Sequence, residues 1–156
     1  MKILVLGASH GTGALCVKSA LAKGHSVTAF SRGTKYCIDA MKEHGVKRLV
    51  VLSAHGIGES KPEASWFQRT LLIGGLLKGF FRDHDVQERL TQESGLDFVI
   101  ARPMRLTNGK AKGTYVRRTT ELISVPATIS RADVADFMVE ACESTALVGK
   151  RVQLGG

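Results

Sequence analysis

The chain has 156 residues, so a single domain spanning residues 1–156 is the expectation, and its 44% hydrophobic content can supply a core. A formal net charge of +8 favours anionic partners, but the basic residues are dispersed and only 6% of residues are aromatic, which argues against a stacking platform for single strands. No helix-turn-helix, zinc-finger or RNA-recognition signature is present, so nucleic acid is not the expected partner. Cys16, Cys37 and Cys142 are odd in number and far apart, against a disulfide framework or a zinc site, and two of them sit among apolar neighbours in helical patterns, as buried reduced thiols would. The chain opens on a strand rather than a signal peptide, and no apolar run approaches the ~20 residues that span a bilayer, so a cytoplasmic protein with no membrane partner is expected.

Ile3 to Leu6, with Lys2 before them, form a continuous apolar run and predict a strand buried on both faces. Gly7, Gly11 and Gly13 follow, and then a helical pattern with Ala14, Val17 and Leu21 on one face and Gly24 as its stop. Strand, glycine turn and helix is the setting in which such a pattern signals a dinucleotide site. Gly7 lets the chain turn sharply, Gly11 leaves room for a pyrophosphate, and Gly13 lets the helix approach the strand. The free N–H groups at the helix start then face the anion, with Ser9, His10 and Thr12 in the same turn.

Ser26 to Phe30 predict the second strand, whose end lies beside the adenosine ribose in a dinucleotide fold. An acidic residue there would bond the ribose 2′-hydroxyl and repel a 2′-phosphate. Instead Ser31, Arg32 and Lys35 stand there, which favours NADP(H) over NAD(H). Tyr36 to His44 read as a short helix with Ile38 and Met41 inward, and Lys47 to Ser53 as a strand. Between Trp66 and Phe81, Leu72, Leu76 and Phe80 fall four apart, as do Ile73, Leu77 and Phe81. That spacing suits a helix on the sheet, a lid or a homodimer surface. Arg82 to Ser94 predict a polar helix with Val86 and Leu90 inward, and Asp97 to Ala101 a strand. A loop from Met104 to Gly113 carries Arg105, Lys110 and Lys112, and Thr114 to Val116 read as a short extended piece. Val125 to Ile129 are a connector, and Ser130 to Asp133 a capping box opening a helix with Val134, Phe137, Met138 and Ala141 as its stripe. Arg151 to Leu154 end the chain as a strand.

Four blocks, at residues 7–13, 40–50, 93–103 and 129–135, resemble the atypical short-chain dehydrogenase/reductases. The nearest sub-group is the NmrA-like and flavin/biliverdin-IXβ-reductase-like NAD(P)-binding proteins. The resemblance covers nearly the whole chain and departs from the family twice. The glycine spacing is G-x-x-x-G-x-G, with His10 where the sub-group carries glycine. In addition only seven residues separate Arg32 from Ala40, where the family places further strands, so about one βαβ unit is missing. The fold expected is therefore an α/β doubly wound parallel sheet, Rossmann-like, shortened to about five strands in the flavodoxin-like order 2-1-3-4-5.

The resemblance implies an NADPH-dependent reductase that passes hydride to a conjugated, aromatic small-molecule acceptor such as a flavin or a tetrapyrrole. Pro103, Met104 and Arg105 would lie on the nicotinamide side. Ser53 and His55, just past a strand end, are the candidate catalytic residues, able to hydrogen-bond the nicotinamide or substrate or to serve as turn residues. The Tyr-x-x-x-Lys pair of the standard dehydrogenases is absent, since Tyr36 is followed by Ala40 and Tyr115 by Thr119. The alternative is a non-catalytic NAD(P)-binding sensor or a degenerate remnant of the reductase family.

Overall fold

A computed structural model of the chain describes residues 1–8, 11–30, 34–55, 78–120, 123 and 127–156. Strand β1 (Lys2–Leu6) leads through helix α1 (Gly11–Ala22) to β2 (Ser26–Phe30). Helix α2 (Thr34–Glu43) leads to β3 (Arg48–Leu52), and helix α3 (Lys78–Gln92) to β4 (Asp97–Pro103). Short strands β5 (Arg105–Thr107), β6 (Val116–Arg118) and β7 (Thr128–Ser130) precede helix α4 (Arg131–Glu143) and the last strand, β8 (Lys150–Gly155).

The pairings are those of a parallel α/β protein. β1 runs parallel to β2, from Lys2↔Ser26 to Leu6↔Phe30. β3, β4 and β8 run parallel in that order, and β6 closes the edge of β8 antiparallel. β5, read from sequence as loop, pairs parallel with β7. The described ladders therefore give two runs of the expected order, 2-1 and 3-4-5 with β8 as the fifth strand.

Side-chain alternation sorts the core into two layers. Val99, Ala101, Val152 and Leu154 point to one face, where Val134, Phe137 and Ala141 of α4 cover them. Leu49, Val51 and Ile100 point to the other, beneath Ile38 of α2 with Met41, Leu90 and Leu96 around it. This is the doubly wound arrangement, with helices on both faces. α1 joins the first layer by packing on α4. Cys16 Sγ lies 3.9 Å from Met138 Sδ, and Ser19 donates a 2.5 Å hydrogen bond to Asp136.

Three expectations are corrected. Leu4 is 53% exposed rather than buried. Its cross-strand neighbour Thr28 is exposed too, whereas Ile3, Val5 and Val27 on the opposite face are half-buried toward α1. Leu21 is also exposed, because α1 turns Thr12, Cys16 and Ala20 inward instead. In α3, Val86 is exposed and Glu88 and Thr91 are buried, since Arg102 on β4 pulls Glu88 down. Periodicity of apolar residues cannot register a buried ion pair. The apolar segment between Trp66 and Phe81 lies outside the described residues except for the backbone of its last turn, at the start of α3.

Candidate functional site

The glycine turn has the geometry that its sequence demands. Gly7 and Gly11 have φ of 71° and 59°, the left-handed region that only glycine enters without strain. A Cβ on either would meet open space, so the backbone there is bare to an approaching ligand. Gly13 is the reverse case. A Cβ on it would lie 2.1 Å from the Gly7 carbonyl oxygen, so its hydrogen is what lets α1 close onto the turn. Thr12 is buried beside it, and the first turn of α1 carries no acidic side chain to oppose an anion. Ser9 and His10, within this turn, lie outside the described residues.

The second half of the site sits at the ends of β3 and β4. The parallel ladder continues past both strands, with Ser53 N–H donating to Ala101 O at 2.8 Å and His55 N–H to Pro103 O at 3.0 Å. Ser53, His55, Pro103 and Met104 are thereby brought together at the carboxyl edge of the sheet. Ser53 is buried, and its hydroxyl has no hydrogen-bond partner among the described residues. A buried hydroxyl left unpaired costs ~1–3 kcal/mol, so such groups mark places where a ligand completes the bonding. Met104 is buried and held by its N–H to Leu154 O at 2.8 Å. Gly155 makes room for it, since a Cβ there would lie 2.7 Å from Met104 Cγ.

The remaining sequence candidates divide. Lys35 is exposed in the first turn of α2, just beyond the end of β2, while Ser31 and Arg32 lie outside the described residues. Arg105 is exposed at the start of β5, immediately after Met104. Glycine turn, Ser53–His55 and Pro103–Arg105 all follow the carboxyl ends of parallel strands, where ligands bind in open α/β sheets. A groove of about 310 Å³ along α3, lined by Asp85, Val86, Glu88, Arg89, Gln92 and Glu93, is separate from these residues. Among the described residues no cluster of histidine, cysteine and acidic side chains could hold a metal, and no helix is long and apolar enough to cross a membrane.

Two supports of the site escaped sequence reading. Arg102, the residue before Pro103, is clamped in a buried bidentate pair with Glu88, with Nε–Oε1 3.1 Å and Nη2–Oε2 2.6 Å. Asp133 does more than complete its capping box. Its Oδ2 accepts from the Ser130 hydroxyl at 2.6 Å, while Oδ1 accepts the N–H groups of Lys112 and Gly113 at 2.9 and 2.8 Å. Burial alone would raise the Asp133 pKa, but those hydrogen bonds and the nearby Lys112 charge hold it below the ordinary carboxylate value. The acid three residues after Ser130 is legible as a cap; its grip on a loop twenty residues earlier is not.

The chain is similar along nearly its whole length to solved structures of this kind. ChuY from Escherichia coli CFT073 is 25% identical with a TM-score of 0.85, over 98% of this chain and 95% of that one. ChuY from Escherichia coli O157:H7, described as an anaerobilin reductase, is 21% identical with a TM-score of 0.83, over 99% and 96%. A short-chain dehydrogenase/reductase from Veillonella parvula DSM 2008, in complex with NADP, is 13% identical with a TM-score of 0.80, over 99% and 94%. A search of curated proteins finds no match. A family model described as NAD(P)H-binding matches residues 31–145, from just after β2 to just after α4, and so takes in Ser53, His55 and Pro103–Arg105. The chain therefore belongs to the NAD(P)H-binding family.

Proposed function

We propose that the chain binds NADP(H) along the carboxyl edge of its sheet and passes hydride to a small conjugated acceptor such as a flavin or a tetrapyrrole. The observation that carries this reading is the glycine turn. Gly13 locks α1 against Gly7, so the helix N-terminus and the bare backbone at Gly7 and Gly11 face the space a pyrophosphate would fill. Ser31, Arg32 and Lys35 follow β2 in the sequence with no acidic residue among them, and that composition favours NADP(H) over NAD(H). The nicotinamide would reach Pro103, Met104 and Arg105. The Ser53 hydroxyl would donate to the carboxamide or to the acceptor, with His55 beside it. The dinucleotide supplies the hydride; the protein supplies position and a dry wall. Likeness to the ChuY reductase supports the choice of acceptor class.

Calorimetric titration with NADPH and NADH tests the reading. NADPH binding well below the NADH constant is expected, and Arg32→Ala should remove the preference. Ser53→Ala should leave NADPH affinity within a few-fold and slow NADPH oxidation by an acceptor about tenfold or more. No binding of either dinucleotide at millimolar concentration would refute the proposal.

A second reading, a binder without turnover, is favoured by the exposed Leu4 and Thr28 face of β1–β2, which fits a chain that has lost part of its dinucleotide half. It predicts NADPH binding with no acceptor reduced.

A further inference from the structure

Two open strand edges face each other in the middle of the molecule. Among the described residues β1 pairs only with β2 and β3 only with β4, and no backbone hydrogen bond reaches the other edge of either strand. β1 reaches β2 through α1 on one face of the sheet, and β3 reaches β4 through α3 on the other. Right-handed crossovers through helices on opposite faces put β2 and β4 on the outer sides, so β1 and β3 are turned toward one another.

One helix end ties both strands down. His25 lies 3.4 Å from the Met1 nitrogen that leads into β1 and 3.2 Å from Glu143, the last residue of α4. Arg48, the first residue of β3, donates to the carbonyls of Ala141 and Ser144 at 2.8 and 2.7 Å. Strands at the ordinary spacing of about 4.8 Å would form a ladder, and β1 and β3 form none, so a seam runs between them. The side chains beside it are poorly covered. Ile3 and Val5 of β1 and Val50 and Leu52 of β3 are only half-buried, although they lie on the face that α1 and α4 cover, and Leu4 on the opposite face is exposed. Val99, Ile100 and Ala101, on the next strand over, are fully buried.

We infer that an extended apolar segment of a partner protein docks in this seam as a parallel strand, hydrogen-bonded to β1 on one side and β3 on the other. The chemistry of the seam selects that occupant. An open strand edge is satisfied by another extended backbone, and β1 and β3 have five residues each, which sets the length. Apolar neighbours on both faces call for a continuous run of residues such as valine and isoleucine. Lys2 and Lys47 are exposed at the amino edge, where Glu143 is engaged by His25, so an acidic residue ahead of the run is favoured. The chain's own run of that kind, Asp97 to Ala101, is already paired with β3 and β8. The inference goes beyond the reading of the crevice and does not depend on what the crevice binds.

The probe is a fluorescein-labelled peptide, acetyl-Asp-Asp-Val-Val-Ile-Val-Val-Gly, titrated against the full chain by fluorescence anisotropy. Saturable binding is expected. Alternate residues of a strand face opposite neighbours, so N-methylation of either alternate set of amides should weaken binding about tenfold or more. Exchanging Asp-Asp for Lys-Lys should also weaken it several-fold, and K2A/K47A should remove that preference. Hydrogen exchange should slow in both β1 and β3 when the peptide binds. No binding, or binding indifferent to methylation, overturns the inference. Sensitivity to only one methylated set, or protection of only one strand, also overturns it by placing the peptide on a single edge. An acidic preference that survives in K2A/K47A overturns the parallel orientation. Amides of β1 and β3 protected equally well without peptide overturn it too, a dimer in sedimentation assigning the seam to a second copy and a monomer assigning it to the chain itself.

Discussion

Gly13 is the residue on which the site most directly depends. Its α-hydrogen occupies space that a methyl group would share with the Gly7 carbonyl, so Gly13→Ala must push α1 off the turn. Loss of NADPH binding by tenfold or more is expected, together with a lower melting temperature, whereas an unperturbed titration would show that the turn is only a scaffold. Cys16 shows the opposite condition, a reactive group kept inert. Burial, and then the neighbouring Cys142 and Asp136, push its thiol up to about 12. At pH 8 the native protein should leave Cys16 unalkylated by iodoacetamide, and labelling by peptide mass should find it modified only after unfolding. Asp133 links residue chemistry to pH. Its folded pKa, like that of Glu140 beside Arg117, lies below the ordinary carboxylate value of about 4. Their stabilisation is therefore complete above that value and is lost as pH falls through the lowered folded values. Thermal melts from pH 6 to pH 2 should show the loss, and Asp133→Ala should flatten it while costing about 1–2 kcal/mol at neutral pH by removing the bonds to the Ser130 cap and to the Lys112 and Gly113 amides.

At the scale of elements, the legible part was whatever a local pattern dictates. Each of β1 to β4 follows a largely apolar run, β8 has only Val152 and Leu154, and α4 begins at the Ser130 cap read from its sequence, with Ser130 Oγ accepting from Asp133 N–H at 2.9 Å. What escaped depends on partners distant in sequence. β5 and β7 are three residues each and exist by pairing with one another, so neither has a pattern of its own. The inward face of α3 is set by Arg102, fourteen residues after Glu88, and an apolar Val86 yields its place to that pair. Of the candidate site, the glycine turn and the strand ends at Ser53 and Pro103 have a local pattern; that Ser53 and Pro103 lie side by side required the parallel register of β3 and β4. The Glu88–Arg102 pair has its own signature. Glu88→Ala should cost about 3–5 kcal/mol by leaving a buried guanidinium unpaired, and the double change Glu88→Leu/Arg102→Met should recover much of it in chemical denaturation. A Glu88→Ala variant as stable as the parent would contradict the burial seen here.

Among the described residues β1–β2 and β3–β4–β8 form separate parallel ladders, and burial differs between them. Leu4 lies on the face of β1 away from α1, whereas Ile100, on β4 between β3 and β8, is fully buried. Leu4→Thr should therefore shift stability by no more than about 0.5 kcal/mol, against about 2–5 kcal/mol for Ile100→Ala. A large loss for Leu4→Thr would mean that something covers this face in solution.

The packing of α1 on α4 has a mechanical consequence. Among the described residues β1 pairs with β2 and β3 with β4, so the contacts of Cys16 and Ser19 with Met138 and Asp136 act as the rivet between the half that bears the glycine turn and the half that bears Ser53. Side-chain packing between two helices, unlike a shared strand ladder, can loosen without either half melting. The amides of β1 and β2 should then exchange with solvent sooner than those of β4 and β8. A dinucleotide long enough to touch both halves would act as a splint, and its binding should slow exchange most where it was fastest.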